Sequence, residues 1–512
     1  MIYTRSLSIA RLVAATCWLW LAGVMLGQDS IVLGQDSAAF PINDSPVPQA
    51  GDFPALPPDP NEAGLSPLQP LNEELYFHGG SYLYNPEGDR LGWPSEHANV
   101  HFDHFRLPEG YPAPEPFTLF SDFLGADPVA YHPNEDGGYS IEPRFVAYGR
   151  HSLFGFGYEE NSIRRDAMGH NLQLEFDLRL TGTERFHAQY LPLGPAGTGG
   201  SYYQFSNPAG HVNNSTAEPS RYWFEGELHS MIGIDHDPFG ALDWNFVAGK
   251  FPFALHNSLL MSDDIIGVVA NKNTNFIGNL SNVNVQWFFG ANDVDAFPTS
   301  EAQLSGVHIS ADHRKMFYEM TYAFVDHDQD PTRNTHYAAI SRTASMGPIT
   351  FATRAMFLWG DEGGAGDAQL LVLESNKTKH FEHHPFDIQY GVFYCNAFLA
   401  TEGWRPISGG NLNRLRVNFE VNPLLRIAAV PSGVEKWGVA LGVQLFRHHE
   451  DESFIPEVAV EGPDGDTVLG VGLRYLRKTG PQSFLEILTL YNESNNSAYD
   501  RLGFFGGHTI IF

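Results

Sequence analysis

The chain ends on its most apolar strand. Residues 502–512 read LGFFGGHTIIF, rich in glycine and aromatics, almost free of charge, and stopping on phenylalanine without a polar tail. Counted back in twos, Phe512, Ile510, Gly506, Phe504 and Leu502 share one face, and only His508 interrupts it. A soluble sheet seldom places such a strand last. A closed transmembrane barrel does, because its final strand pairs with its first and turns the apolar face to lipid. The rest of the chain must then supply enough long alternating strands to close a wall.

It supplies many. LQLEFDLRL (172–180) alternates without a break, as does LRVNFEV (415–421). Tyr318, Met320, Tyr322 and Phe324 oppose Glu319, Thr321 and Ala323, and Leu469, Val471, Leu473 and Tyr475 oppose Gly470, Gly472 and Arg474. In 437–445, Trp437, Val439, Leu441, Val443 and Leu445 form one face and Gly438, Ala440, Gly442 and Gln444 the other. Hydrophobic residues make up 43% of the chain at a mean hydropathy of −0.23, so apolarity is spread by alternation. Outside the N-terminus no run approaches the ~20 apolar residues of a spanning helix.

Turn chemistry fills the gaps. Short connections are expected at 181–184, 345–348, 431–434 and 478–481, and long polar ones at 206–220, 256–280, 297–301, 361–367, 401–411 and 447–466. Tight turns mixed with long loops suit a barrel with two unlike ends. The fold class expected is all-β, a transmembrane antiparallel β-barrel from about residue 139 to 512. Asn422-Pro423 reads either as a turn or as a bulge, which changes the count by one; strands in such barrels are usually even in number, giving 16 within a range of 14–18.

A secreted or surface β-sandwich, binding carbohydrate or protein through aromatic loops, shares the same period. Three features favour the barrel. Several runs reach the ~9–11 residues of an oblique crossing. Aromatics gather at the margins of runs, as in Tyr222-Trp223-Phe224 and Phe357-Leu358-Trp359. The opposite face carries Gly, Ala, Gln, Glu and Arg, as a wet lumen would. By this parity Leu441 faces lipid and Ala440 the lumen, where a larger side chain is tolerated if there is room.

The terminal strand resembles that of bacterial outer-membrane barrel proteins, whose last phenylalanine belongs to their assembly signal. AGKFPFALHN (248–257) resembles the G-x-F-x-x-P-F region of phosphate-selective-type porins. The resemblance implies a porin architecture and an inward-folded loop over residues 258–278. It does not carry phosphate specificity, since no Lys- and Arg-rich lumen is evident. The pore-lining residues expected are Glu175, Asp177, Lys250, Glu319 and Glu420.

There are 60 acidic and 30 basic residues, a formal charge of −30, which argues against nucleic acid or an anionic surface as partner. Residues 1–34 read as a secretory signal with Arg5 and Arg11 before an apolar run at 12–26. Cleavage after Gly27 or after Gly34 both fit, because LGQDS occurs twice. Residues 35–75 are a Pro-rich linker, and 76–138 an irregular segment that plugs, caps or precedes the barrel. Of two cysteines, Cys17 lies in the leader and Cys395 is expected on the non-lipid face as a quiet buried thiol.

No motif points to catalysis. GPAGTGGS (194–201) has Gly200 where a phosphate-binding loop needs lysine, and no nucleophile elbow follows His78-Gly-Gly-Ser81. The His/Glu/Asp clusters around 97–104, 380–384 and 448–452 read as solvated loops, and Asp326, Asp328 and Asp330 precede Pro331 where a calcium loop needs glycine. The reading is therefore an exported outer-membrane channel for small hydrophilic solutes or ions. It prefers cations, has lipid around it, and needs no catalytic residue, metal or cofactor. Oligomeric state is left open.

Overall fold

The computed structural model describes residues 117–119, 143–160, 162–180, 183–195, 200–232, 243–291, 302–327, 331–360, 366–381, 385–408 and 433–512. The expected signal, linker and most of the irregular segment lie outside these residues, as does 415–421 with Glu420.

One antiparallel sheet closes on itself. Its wall strands are β1 (Arg144–Glu160), β2 (Ile163–Arg179), β3 (Arg185–Tyr190), β4 (Pro219–Glu227), β5 (Trp244–Leu255) and β6 (Met261–Ile277). They continue as β7 (Leu280–Gly290), β8 (Ala302–His313), β9 (Met316–His327), β10 (Thr335–Met346), β11 (Ile349–Trp359) and β12 (Ala368–His380). The last six are β13 (Ile388–Ala400), β14 (Lys436–Arg447), β15 (Glu452–Pro463), β16 (Val468–Gly480), β17 (Ser483–Ser494) and β18 (Arg501–Ile511). Each pairs with the next, and β18 pairs with β1 from Arg150↔Ile511 to Glu160↔Arg501. Phe512 exchanges backbone hydrogen bonds with Gly149 at 2.8 and 3.0 Å, completing the seam. A short strand, Phe117–Leu119, then pairs with β1 at Phe145–Ala147.

The wall has 18 strands, not 16. Two of the long loops expected contain wall strands: 256–280 holds β6 and 447–466 holds β15. In β11, ITFATRAMFLW, the inward Met356 and Leu358 are as apolar as the outward Phe357 and Trp359, so contrast is lost. β13 pairs directly with β14, and of the turn expected at 431–434 residues 431 and 432 lie outside the described residues. Closure of a single sheet removes the sandwich alternative, which needs two sheets face to face.

From β5 onward every wall strand has at least 11 residues, enough for an oblique crossing of ~9–11. The exposed face is apolar: Met320, Tyr322, Ile340, Leu371, Val458, Val471, Leu473, Leu502, Phe504, Ile510 and Phe512 all lie open on it. One end carries tight turns at 278–279, 314–315, 347–348 and 481–482; the other carries longer connections such as 191–218, 291–301 and 401–435.

Register rows sort the faces. Cys395 aligns with Leu441, and Leu441 with Val458 and Val471, so Cys395 lies on the outward face, covered by its neighbours. The parity count from Ile388 and Tyr390 put it on the other side. The next row, Asn396, Ala440, Ala459, Gly470, Asn492 and Arg501, faces inward. Ala440 is only 1% exposed, in a cluster with Phe154, Tyr158, Leu490 and Phe505, so the room on which tolerance of a larger side chain depends is absent.

Candidate channel constriction

The β5–β6 hairpin leaves the wall partway along. β5 pairs with β4 only as far as Lys250↔Tyr222, and β6 with β7 only as far as Gly267↔Gly290. Beyond these points residues 251–266 leave the neighbouring wall strands, β5 and β6 pair with each other, and the arm turns into the lumen. Gly249 and Gly267 face one another in register at the bend. At Gly249, φ is +136° and a Cβ would lie 2.4 Å from the Tyr222 carbonyl oxygen. At Gly267 it would meet the Phe289 carbonyl at 2.0 Å. Only glycine allows the strands to cross so closely here.

Past the glycines the sequence turns apolar. Phe251, Phe253, Leu255, Leu259, Leu260, Met261 and Ile265 are all buried against the inward Phe288, Leu304, Val325, Tyr337, Met356, Leu358 and Leu370. Each such side chain contributes about 1.5–3 kcal/mol relative to exposure, which holds the arm inside. A second inward segment, 401–408, clasps the tip. Ile407 N donates to Leu260 O at 2.9 Å and Ser262 N to Ser408 O at 3.0 Å, Ser408 Oγ donates to Asp263, and Trp404 is buried beside them.

Polar groups tie the arm to the wall. His256 sets Nδ1 2.5 Å from Ser341 Oγ and Nε2 2.8 Å from Thr321 Oγ1. Asn257 donates to Glu374 at 3.0 Å. Arg354 bridges Glu374 (Nε–Oε2 2.7 Å) and Glu319 (Nη1–Oε2 3.1 Å). On the other side Arg221 Nε reaches both Asp264 oxygens at 2.9 Å. Among the described residues the carboxylates Asp264, Glu319 and Glu374 thus pair with the guanidiniums of Arg221 and Arg354 at the arm.

A separate polar cluster lines the inward face of β2–β4. His187 sits between Glu175 (Nε2–Oε2 2.9 Å) and Asp177 (Nδ1–Oδ1 2.7 Å), with its ring stacked on Trp223 at 3.8 Å between centroids. Both ring nitrogens donate only as imidazolium. Arg185 bridges Asp177 and Glu225 at 3.4 and 2.8 Å, Tyr148 donates to Asp177 at 3.3 Å, and Gln189 donates to Glu175.

Of the residues singled out from sequence, Glu175 and Asp177 lie together in this cluster and Glu319 at the arm. Lys250 shares the face of the exposed Tyr222 and Ile266, opposite the buried Phe251, so it is not on the lumen side. The inward segment is residues 251–266; most of 267–277, expected within the inward loop, is wall strand paired with β7. Sequence reading missed His187, Trp223, Arg221 and Arg354, because single charges on separate strands carry no local signal. The Asp263-Asp264 doublet, polar within the aliphatic run 259–269, is the local signal that could have pointed to the arm. Of the His/Glu/Asp clusters, 97–104 and 382–384 lie outside the described residues, and no metal-binding group of three occurs among the described ones.

The architecture is that of a closed β-barrel with an apolar exposed wall and an internal constriction. No family model and no curated protein sequence matches the chain. Among solved structures it is similar to Pseudomonas aeruginosa OccK5 (OpdH), at 12% identity and TM-score 0.44 over 72% of this chain and 98% of that one. It is also similar to OccD3 (OpdP) of the same organism (10%, 0.42, 77% and 97%) and to Acinetobacter baumannii OccAB1 (9%, 0.46, 72% and 96%). Identities and scores this low assign neither family nor ligand.

Proposed function

We propose that the chain is an outer-membrane, porin-like channel for small hydrophilic solutes, cation-preferring, and not an enzyme. The observation that carries this reading is a wall closed on itself with an apolar exterior and an arm folded inside it. Such a wall is stable only when lipid covers it, and an arm inside a lumen narrows a path without blocking assembly. Cation preference is supported by the chain's 60 acidic against 30 basic residues and by the carboxylates Glu319 and Glu374, which share the single guanidinium of Arg354 at the arm. Charges in a confined path bordered by poorly polarisable walls bias the permeant ion. Phosphate selectivity, the finer point of the sequence resemblance, finds no support in these groups, since Arg221 and Arg354 are both held by carboxylates.

The test is a planar bilayer with a salt gradient. A cation-selective reversal potential is expected, and removing residues 252–264 should raise single-channel conductance while the folded, heat-modifiable band persists on a detergent gel. An anion-selective sign would overturn the preference; an absent heat shift would overturn the membrane barrel itself.

A further inference from the structure

The tight-turn end carries a set of exposed cations although the chain's overall charge is −30 and exposed Asp387 and Glu450 lie in the turns between β12 and β15. Arg314 and Lys315, in the turn between β8 and β9, are exposed at the tight-turn end. Arg342 on β10, Lys379 on β12 and Arg477 on β16 are exposed at the same end, on the outward face of the same strands as Ile340, Leu371 and Leu473. Among the described residues none of these five is in an ion pair, whereas both guanidiniums at the arm are. At the other end the outward face bears exposed Glu159 and Glu493, and Arg164 there is held by Asp166 at 2.7 Å.

Aromatics mark the depth of the basic arc. Arg342 stands opposite Tyr318, and neighbouring Lys377 stands opposite Phe393. Arg447 lies 5.7 Å from the centroid of Phe454, which packs on Tyr475 at 4.8 Å. Outward aromatics at a wall's margin sit at headgroup level, and long cationic side chains beside them reach toward phosphate.

We propose that this arc is a binding surface for anionic phospholipid headgroups of the leaflet at the tight-turn end. The proposal rests on the membrane-barrel reading. Five exposed cations without a carboxylate partner repel one another, Arg342 reaching only Met316 Sδ and Arg477 only Tyr475; lipid phosphates at the same depth supply the missing charge, at roughly fivefold enrichment per engaged cation. The exposed carboxylates Glu159 and Glu493 at the opposite rim offer no such surface, so the preference belongs to one leaflet.

The test uses the full chain in detergent with equimolar phosphatidylglycerol and phosphatidylcholine, the lipids retained after gel filtration being quantified. At least a fivefold excess of phosphatidylglycerol is expected. It should vanish in about 1 M salt, where the Debye length falls to about 3 Å. It should also vanish in a variant carrying R314Q, K315Q, R342Q, K379Q and R477Q. Equal retention of both lipids by the wild type overturns the proposal, as does an excess that survives salt. Displacement of the lipid by inorganic phosphate would show a free-phosphate site instead. The wild-type salt arm decides even if the variant fails to fold. Absence of a heat-modifiable band would count against the barrel, not against the arc.

Discussion

Two sectors of the inner wall obey the same period and meet opposite surroundings. Along β8–β12 the inward residues are Leu304, Ala323, Val325, Tyr337, Met356, Leu358 and Leu370, all nearly inaccessible beneath the arm. Along β2–β4 they are Glu175, Asp177, Arg185, His187, Gln189 and Trp223, joined into one hydrogen-bonded cluster. Parity says which side of the wall a residue takes. It does not say whether that side is packed or polar, since this depends on what the chain places opposite. The dry sector exists because an arm from β5–β6 covers it, and it tolerates few buried charges. Arg354, Glu319 and Glu374 at its edge persist because they satisfy one another.

The contrast can be broken first at that edge. Arg354→Ala leaves two carboxylates facing each other without their cation, and should cost about 3–5 kcal/mol. The check is the urea midpoint of the folded band in lipid vesicles; a loss below 1 kcal/mol would mean water already solvates the site. Next comes the arm core. Leu260→Ala removes a fully buried side chain at the clasp and should cost about 2–5 kcal/mol in the same assay, with larger conductance fluctuations in single-channel records. Unchanged midpoint and noise would mean the arm is not packed against the wall.

Leu441→Arg on the outward face should cost about 2–4 kcal/mol near midplane. Ala440→Arg should damage folding comparably for a different reason, because its row is packed with Phe154, Leu490 and Phe505. Good folding of the Ala440 variant would show a roomier lumen there. The smallest effect is expected in the polar sector. His187→Gln keeps a donor but loses one of two carboxylate contacts, and should cost about 1–3 kcal/mol while shifting reversal potential further toward cations. A shift toward anions would place the cluster outside the conducting path.

Much of the wall is readable in sequence. Leu172 to Leu180 and Leu469 to Tyr475 announce strands because outward residues are apolar and inward ones small or polar. The terminal strand announces closure for the same reason. β11 and β12 are harder, since Met356, Leu358, Leu370 and Val372 answer to the arm and not to lipid or water. The resemblance at 248–257 implies an inward loop over 258–278, whereas the segment that leaves the wall is 251–266; its limits depend on where β4 and β7 stop pairing, which no local pattern encodes.

Local chemistry settles the strand period, the apolar outward face and the glycines that let the hairpin bend. These depend on residues at short sequence separation, where sterics and side-chain alternation act directly. Tertiary structure alone decides that 18 strands close the wall, that the arm dries one sector, and that Arg354 joins Glu319 and Glu374 from three strands. Those outcomes depend on pairing between residues far apart in the chain, and each is chosen by burial and charge satisfaction in the assembled barrel.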